Sequence, residues 1–270
     1  MTGALSVKGR KADMPQQNIF DNETFFEGYR GIRSEGNNAN ELFEIPALRS
    51  LLPELEGKRI LDLGCGFGGH CKMFVEAGAK WVTGIDISRR MLTVACEENR
   101  DPRIEYIHMP MEDIGSFVEA GRRYDLVVSS LALHYVKDFA GVIGNAYQLL
   151  EPQGELIFSQ EHPLDTAYWS GEKWTRDEAG RKLYLNLANY GVESERESTW
   201  FVDHVKKYHR TFSTILNTVI DAGFTVEKVV EPSPTKELLA EYPQYRSLLH
   251  KPNCLLIKAK KVSRGIIPQK

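Results

Sequence analysis

The residues best suited to chemistry lie in a glycine-rich turn and in an acid that follows it. An apolar segment, Ile60-Leu61-Asp62-Leu63, runs into the turn Gly64-Cys65-Gly66-Phe67-Gly68. Glycines permit a tight turn and the close approach of a ligand to the backbone, and a helix beginning just after the turn presents free N–H groups to an anionic ligand group. Asp86 ends the next predicted strand, 20 residues after Gly66. A carboxylate there can accept hydrogen bonds from both hydroxyls of a ribose, so the pattern predicts a nucleoside site.

Two classes of nucleoside cofactor fit this turn. Gly64, Gly66 and Gly69 satisfy the G-x-G-x-x-G spacing, so a nicotinamide-dependent oxidoreductase is one alternative. Asp62 lies just before the first glycine, where its carboxylate would repel a pyrophosphate and would suit a ligand that carries a cation. The C-terminal elements also resemble a sheet closed by an antiparallel strand and not a second mononucleotide-binding half. We therefore favour a cationic nucleoside.

Three histidines are candidate general bases. The carboxyl ends of parallel strands face the ligand crevice in open α/β sheets, and imidazole titrates near neutral pH. His162 follows the fifth core strand, His209 opens the helix predicted over 208–222, and His134 follows the fourth strand. We rank them in the order His162, His209, His134, and the alternative for each is a hydrogen-bonded structural histidine.

Residues 160–212 interrupt the alternation of strands and helices. They hold nine of the 27 Phe, Trp and Tyr residues and three of the four tryptophans. A connection this long is usually functional or disordered, and a disordered segment would be poor in aromatic residues. We interpret the segment as a cap over a pocket; the alternative is a structural layer against the sheet edge. Its candidate substrate-binding residues are Tyr168, Trp169, Tyr190, Trp200 and Tyr208.

The rest of the chain alternates between apolar strands and amphipathic helices. The predicted strands are Arg59–Leu63, 81–85, Ile104–His108, Tyr124–Ser129, 154–159, Thr225–Val230 and Cys254–Lys260. The predicted helices include 40–52, 69–77, 89–99, 139–150, 208–222 and 235–249. This alternation implies a mainly parallel sheet with helices on both faces. The predicted fold class is α/β, a Rossmann-like doubly wound sheet with an inserted cap.

Composition excludes several classes of protein. The 270 residues include 34 Lys and Arg against 37 Asp and Glu, whereas phosphate neutralisation in a nucleic-acid binder needs a basic surplus. No apolar run of about 18 residues is present to span a bilayer, and the N-terminus lacks the apolar core of a signal peptide. The four cysteines fit no zinc spacing. We expect a cytoplasmic monomer or homodimer with a small-molecule substrate and no metal, nucleic-acid or membrane partner.

Five segments together resemble the class I S-adenosylmethionine-dependent methyltransferases of the small-molecule type, similar to methyltransferase domain 11. The segments are LDLGCGFG, GIDIS, YDLVVSSLALHYV, LLEPQGELIFS and GFTVEKVVEPSP, and the resemblance extends over residues 29–260. It implies seven strands in the order 3-2-1-4-5-7-6, with strand seven antiparallel. It also implies S-adenosyl-L-methionine as the cofactor and S-adenosyl-L-homocysteine as the product.

The resemblance implies roles for residues of the cofactor site. The 64–68 turn would hold the methionine part, Asp62 would lie near its ammonium group, and Asp86 would bind the ribose. The family usually has an acid where this chain has Pro110, so the adenine contact would fall to Met111 and Glu112. Ile87 and Met91 would flank the nucleoside, Ser130 and Leu131 would lie beneath the sulfonium, and Tyr29 with Arg33 would close over the cofactor. The full set is Tyr29, Arg33, Asp62, Gly64, Cys65, Gly66, Gly68, Asp86, Ile87, Met91, Met111, Glu112, Ser130 and Leu131.

These observations divide the chain into parts. We predict a flexible tail at 1–18, N-terminal helices closing over the cofactor at 19–53, a cofactor-binding core at 54–160 and 208–261, a substrate cap at 161–207, and a second tail at 262–270. The expected function is methyl transfer from S-adenosyl-L-methionine to O, N or C of a small molecule, by in-line displacement with a possible histidine base. The alternatives are an RNA or protein methyltransferase and a catalytically silent regulatory protein that binds the cofactor.

Overall fold

A seven-stranded sheet forms the centre of the chain in the computed structural model, which describes residues 17–262. The tails predicted at 1–18 and 262–270 therefore lie almost wholly outside the described residues. The sheet strands are β1 (Arg59–Leu63), β2 (Trp81–Asp86), β3 (Ile104–His108), β4 (Tyr124–Ser129), β5 (Leu150–Glu161), β10 (Thr225–Val230) and β11 (Cys254–Lys260). Their order is β10-β11-β5-β4-β1-β2-β3, and β11 alone runs antiparallel to its neighbours. The predicted fold and strand order are confirmed.

Helices cover both faces of the sheet because residues in each strand alternate between the two faces. Ile60 of β1 packs with one buried cluster that includes Leu48 and Phe74, and Leu61 packs with the other, which includes Val142 and Ile215. The helices are α1 (Glu23–Ser34), α2 (Ile45–Leu51), α3 (Gly69–Glu76), α4 (Arg89–Glu98), α5 (Gly115–Glu119), α6 (Phe139–Leu149), α7 (Pro163–Thr166), α8 (Phe212–Asp221) and α9 (Lys236–Glu241). A π-helical turn, Asn40–Glu44, leads directly into α2.

The structure differs from the predicted elements at the two C-terminal helices. The helix predicted over 208–222 begins only at Phe212, because Thr211 caps it by accepting a hydrogen bond from the amide of Thr214. The helix predicted over 235–249 ends at Glu241, and the chain continues as a 3-10 helix, Pro243–Leu249. Pro243 has no amide hydrogen to continue an α-helix.

The segment predicted to be a cap consists of α7 and two β-hairpins. The first hairpin pairs β6 (Trp174–Arg176) with β7 (Lys182–Leu185), and the second pairs β8 (Ser194–Trp200) with β9 (Val202–His209). Tyr208 and His209 thus end a cap strand and do not open a helix. These four strands were not predicted.

An aromatic cluster joins α1 to the second hairpin. The Phe25 ring lies 5.1 Å from that of Trp200 and 5.6 Å from that of Phe201, both in edge-to-face geometry, a favoured arrangement for aromatic pairs. The N-terminal helix and the cap therefore meet over the same edge of the sheet. Within residues 17–262, no helix is long and apolar enough to cross a membrane.

Candidate functional site

The glycine turn is held at the carboxyl end of β1 by backbone hydrogen bonds to β2. The amides of Gly64 and Cys65 each donate to the carbonyl oxygen of Ile85 at 2.9 Å. Gly64 has φ +73°, and a Cβ added there would lie 2.6 Å from the Cβ of Ala132. Glycine is required at this position because any side chain would meet the segment that follows β4.

Asp86 fixes the tip of the turn from the neighbouring strand. Its Oδ2 accepts from the amide of Gly66 at 2.9 Å and its Oδ1 from the amide of Ser88 at 2.8 Å. Each carboxylate oxygen retains a second lone pair for a ligand hydroxyl. Burial raises the pKa of Asp86 to about 6. The open space in front of Gly66 leaves room for a ligand beside this carboxylate.

Asp62 is a buried carboxylate with no basic partner among the described residues. Its side chain is buried (1% exposed), its Oδ2 accepts a hydrogen bond from the Cys71 thiol, and its Oδ1 has no partner among residues 17–262. Burial, reinforced by the charges of Asp86 and Glu44, raises the pKa of Asp62 to about 7. An ionised carboxylate in this position is stabilised only when a cation arrives.

Glu44 is a second buried acid at this edge of the sheet, and sequence reasoning missed it. Its Oε1 accepts from Ser130 Oγ at 2.9 Å and from Ser159 Oγ at 2.5 Å, which ties the segment after β4 to β5. Its Oε2 has no partner in the described part of the chain, and burial raises its pKa. The available signal was an acid between Phe43 and Ile45, on an apolar helix face.

A cavity of about 690 Å³ lies between the sheet edge, α1 and the cap. Leu131 and Tyr29 line its side toward the glycine turn, and Trp200 lines it from the cap. The Tyr29 ring lies 5.8 Å from that of Phe67 in the turn and 6.0 Å from that of Trp200. Tyr29 thus connects the predicted cofactor site with the cap.

Only one of the three candidate histidines lines this cavity. Both ring nitrogens of His162 are engaged, Nδ1 by the amide of Leu164 and Nε2 by Glu231 Oε1 at 2.7 Å. Those of His209 are engaged by Thr166 Oγ1 and by the carbonyl oxygen of Tyr190, each at 2.8 Å. Structural hydrogen bonds therefore occupy the two residues that the sequence ranks first, whereas the third, His134, lies at the cavity.

His134 faces the cavity as a neutral donor. Its Nδ1 accepts from the amide of Glu161 at 3.3 Å, and its Nε2 lies 3.9 Å from Glu161 Oε1. Burial lowers the pKa of His134 to about 4, so the ring is neutral at neutral pH. Because Nδ1 serves as the acceptor, the proton of the neutral ring is on Nε2.

The cap aromatic residues divide between the cavity and other positions. Tyr168 and Trp200 line the cavity. Trp169 is half exposed and packs on the guanidinium of Arg196. The Tyr190 hydroxyl accepts from the amide of Phe212, and the Tyr208 hydroxyl donates to Glu195, so these two hydroxyls hold the hairpin to its surroundings.

The remaining predicted cofactor residues surround the turn in different ways. Met111 approaches Gly64, Ser130 binds Glu44, and Leu131 adopts φ +49° beside the cavity. Met91 is buried with Phe26 and Val94. Arg33 Nη1 lies 3.6 Å from Glu41 Oε1, and Glu112 Oε1 accepts from the amide of Lys137. Gly68 (φ +77°) is the residue that precedes α3, Cys65 is buried, and the carbonyl of Ile87 accepts from Asn18 and His108.

These residues fit a cationic sulfonium nucleoside. Two buried carboxylates have unpartnered oxygens within the described chain that suit an ammonium group, and Asp86 presents acceptors for ribose hydroxyls. A pyrophosphate would meet the same carboxylates and be repelled. The donor set therefore favours the cofactor that the sequence predicts.

The chain is similar to known S-adenosylmethionine-dependent methyltransferases over most of its length. A model of a methyltransferase domain matches residues 61–158. The crystal structure of an S-adenosylmethionine-dependent methyltransferase from Mesorhizobium loti is similar, with 38% identity over 83% of this chain and 98% of that one, and a TM-score of 0.72. A proposed S-adenosylmethionine-dependent methyltransferase from Listeria monocytogenes is also 38% identical, over 86% of this chain and all of that one, with a TM-score of 0.73. An uncharacterised protein of Haemophilus influenzae is 37% identical over 91% of this chain and 98% of its own length.

The unpaired carboxylate of Asp62 predicts an unusual response to substitution. The pKa of Asp62 is higher in the folded chain, about 7, than its ordinary 3.8, so the stability it contributes when protonated is lost as pH rises from about 4 to 7. We expect Asp62→Asn to raise the Tm of the cofactor-free protein at pH 8 by about 3 °C or more and to raise it by clearly less at pH 5, where only part of this stability has been lost. Thermal unfolding at both pH values measures this difference.

Asp113→Asn is the matched control, because Asp113 is an exposed acid of the same sheet edge. It should leave the Tm unchanged at both pH values. If Asp62→Asn destabilises the cofactor-free protein at pH 8, Asp62 has a partner that the geometry does not show.

Proposed function

This chain belongs to the S-adenosylmethionine-dependent methyltransferase family, and from that membership we propose that it methylates a small-molecule acceptor bound beneath the cap. The observation that carries the proposal is the cavity of about 690 Å³, a volume in the usual range of small-molecule sites. Tyr29 and Leu131 line it beside the cofactor turn, and Tyr168 and Trp200 line it from the cap. An acceptor held there would lie next to the cofactor and be shielded from water.

Carboxylates of the described chain would hold the cofactor, by pairing with its ammonium group and by accepting hydrogen bonds from its ribose hydroxyls. Asp62 and Glu44 would bind the ammonium group of its methionine part, and Arg33 would pair with the carboxylate of that part. Asp86 would bind the ribose. The bound cofactor supplies a methyl group on a sulfonium, which is already an activated leaving group. The protein therefore contributes mainly orientation and the exclusion of water.

His134 and Glu161 are the groups that would handle a proton of the acceptor. The Nε2–H of His134 can donate to an oxygen of the acceptor and orient it. Glu161, at the end of β5, also lines the cavity and pairs with Lys207 at 2.5 Å. Its carboxylate would receive the proton of an acceptor that must lose one, and a neutral amine acceptor would need no base.

Transfer of labelled methyl groups tests the proposal directly. A cell extract is separated into small molecules, RNA and protein, and each fraction is incubated with methyl-labelled cofactor and the enzyme. Label should enter the small-molecule fraction, and Asp86→Ala should abolish this transfer because it removes the ribose contact. Label in RNA or protein would contradict the proposal, and cofactor binding without transfer to any fraction would indicate a silent binding protein.

Binding of S-adenosyl-L-homocysteine should depend on pH through Asp62. The ammonium group favours the ionised carboxylate, whose pKa is about 7 before binding, so binding releases a proton. We expect the affinity to rise roughly tenfold or more from pH 5.5 to pH 8, as measured by calorimetry. Asp62→Asn should lower the affinity at pH 8 and flatten the profile above pH 6, with Asp113→Asn as the control. An unchanged profile in Asp62→Asn would remove Asp62 from the cofactor site.

Substitution of two histidines separates the cavity group from a structural one. His134→Asn keeps an acceptor near the position of Nδ1 and removes the Nε2 donor, so turnover should fall by roughly tenfold or more with little change in cofactor affinity. His162→Asn removes the bond to Glu231 at a residue that does not line the cavity, so turnover should remain within about threefold of wild type. Equal turnover in wild type and His134→Asn would exclude His134 from the reaction.

A further inference from the structure

The cap carries a buried cation that no acidic side chain of the described residues neutralises. Arg196 lies in β8 and is 7% exposed, and it lines the cavity. No carboxylate of residues 17–262 lies within salt-bridge distance of its guanidinium. Its nitrogens donate to Ser194 Oγ and to the carbonyl oxygen of Val192, while its buried Nε has no partner in the described chain.

The acids of the same hairpin are engaged elsewhere. Glu193 accepts from Thr211, Glu195 pairs with Lys206, and Glu197 pairs with His204. Glu195 points away from Arg196, because successive residues of a strand face opposite sides. Glu197 also lines the cavity, but its carboxylate is paired with His204. The positive charge of Arg196 is therefore uncompensated within its own element.

The neighbouring cations of the cavity are, in contrast, paired. Lys207 lies directly opposite Arg196 in the hairpin, and like charges in that register repel each other. Lys207 is neutralised by Glu161, and Lys173 by Asp165 at 2.5 Å. Among the described residues, Arg196 is left as the unpaired buried charge of this wall.

A buried charge without a counter-charge strongly destabilises the folded chain. A ligand that supplies the counter-charge removes this cost, which adds to the free energy of its binding. A guanidinium binds a carboxylate through two parallel hydrogen bonds, and the free Nε is one member of such a donor pair. The guanidinium carbon of Arg196 lies over the Trp169 ring, 4.2 Å from its centroid, in a cation–π contact.

We propose that Arg196 binds a carboxylate of the methyl acceptor, so that the substrate is an aromatic or other planar carboxylic acid. This inference rests on the proposed function and narrows its substrate class. Tyr168 and Trp200 line the same cavity and provide faces against which a planar acid can stack. Glu161 and Asp165 do not repel the acid, because each is already paired with lysine.

Matched acids and amides test the inference even though the natural acceptor is unidentified. Benzoate, 4-hydroxybenzoate and indole-3-acetate are each compared with the corresponding primary amide, by calorimetry on protein saturated with S-adenosyl-L-homocysteine. At least one acid should bind wild type about tenfold or more tighter than its amide. In Arg196→Gln the preference should fall to about twofold or less. In Arg176→Gln, which changes an exposed cap arginine outside the cavity, it should persist.

Two results would overturn the inference. One is that no acid of the set is preferred by wild-type protein, an outcome that does not depend on any variant being folded. The other is that the preference survives in Arg196→Gln. Cofactor affinity is measured in the same variant and should be unchanged. If the carboxylate inference alone is wrong, the cofactor still binds. If the methyltransferase assignment is wrong, the cofactor itself does not bind.

Discussion

Buried charge without a partner inside the described chain is the constraint around which this molecule is organised. Asp62 and Glu44 have unpartnered carboxylate oxygens at the edge of the sheet, and Arg196 is an unpaired guanidinium in the cap. Such groups destabilise a folded chain unless a ligand completes them. Under the proposed function the two acids would hold the cationic part of the cofactor, and under the further inference the arginine of the cap would hold a carboxylate of the acceptor. The proposed order along the site is therefore cofactor, reacting centre and substrate carboxylate.

The topology explains how distant parts of the chain contribute to one site. The parallel strands β1, β2, β4 and β5 end at the same edge, which places Asp62, Asp86, Leu131 and Glu161 together. The π-helical turn before α2 brings Glu44 to the serines after β4 and in β5; π-helical turns occur frequently at functional sites. The cap closes the other side through the contact of Trp200 with α1.

The core was predictable from sequence because its signals are local. The hydrophobic period and the residue spacing correctly predict the strand Arg59–Leu63, the glycine turn and the position of Asp86. The cap strands were not predictable, because β8 and β9 are rich in charged residues and lack a clear apolar alternation. Glu44 and Arg196 were missed for a related reason. Their importance lies in the absence of a partner, and pairing depends on tertiary contacts that sequence spacing does not reveal.

The histidines illustrate the same limit. His134 and His162 do follow the ends of strands, as the sequence predicts. Whether a ring nitrogen is free, however, depends on groups far away in sequence, such as Glu231 for His162 and Tyr190 for His209. Of the three, only His134 combines the strand-end position with access to the cavity.

The proton balance of cofactor binding tests the central claim most directly. Calorimetry of S-adenosyl-L-homocysteine binding at pH 6.5, in two buffers with different ionisation enthalpies, reports how many protons leave the protein. If the ammonium group replaces the proton on Asp62, wild-type protein should release on the order of 0.5 to 1 proton, and Asp62→Asn should release far less. Binding of the same affinity with no proton released by the wild-type protein would contradict the account.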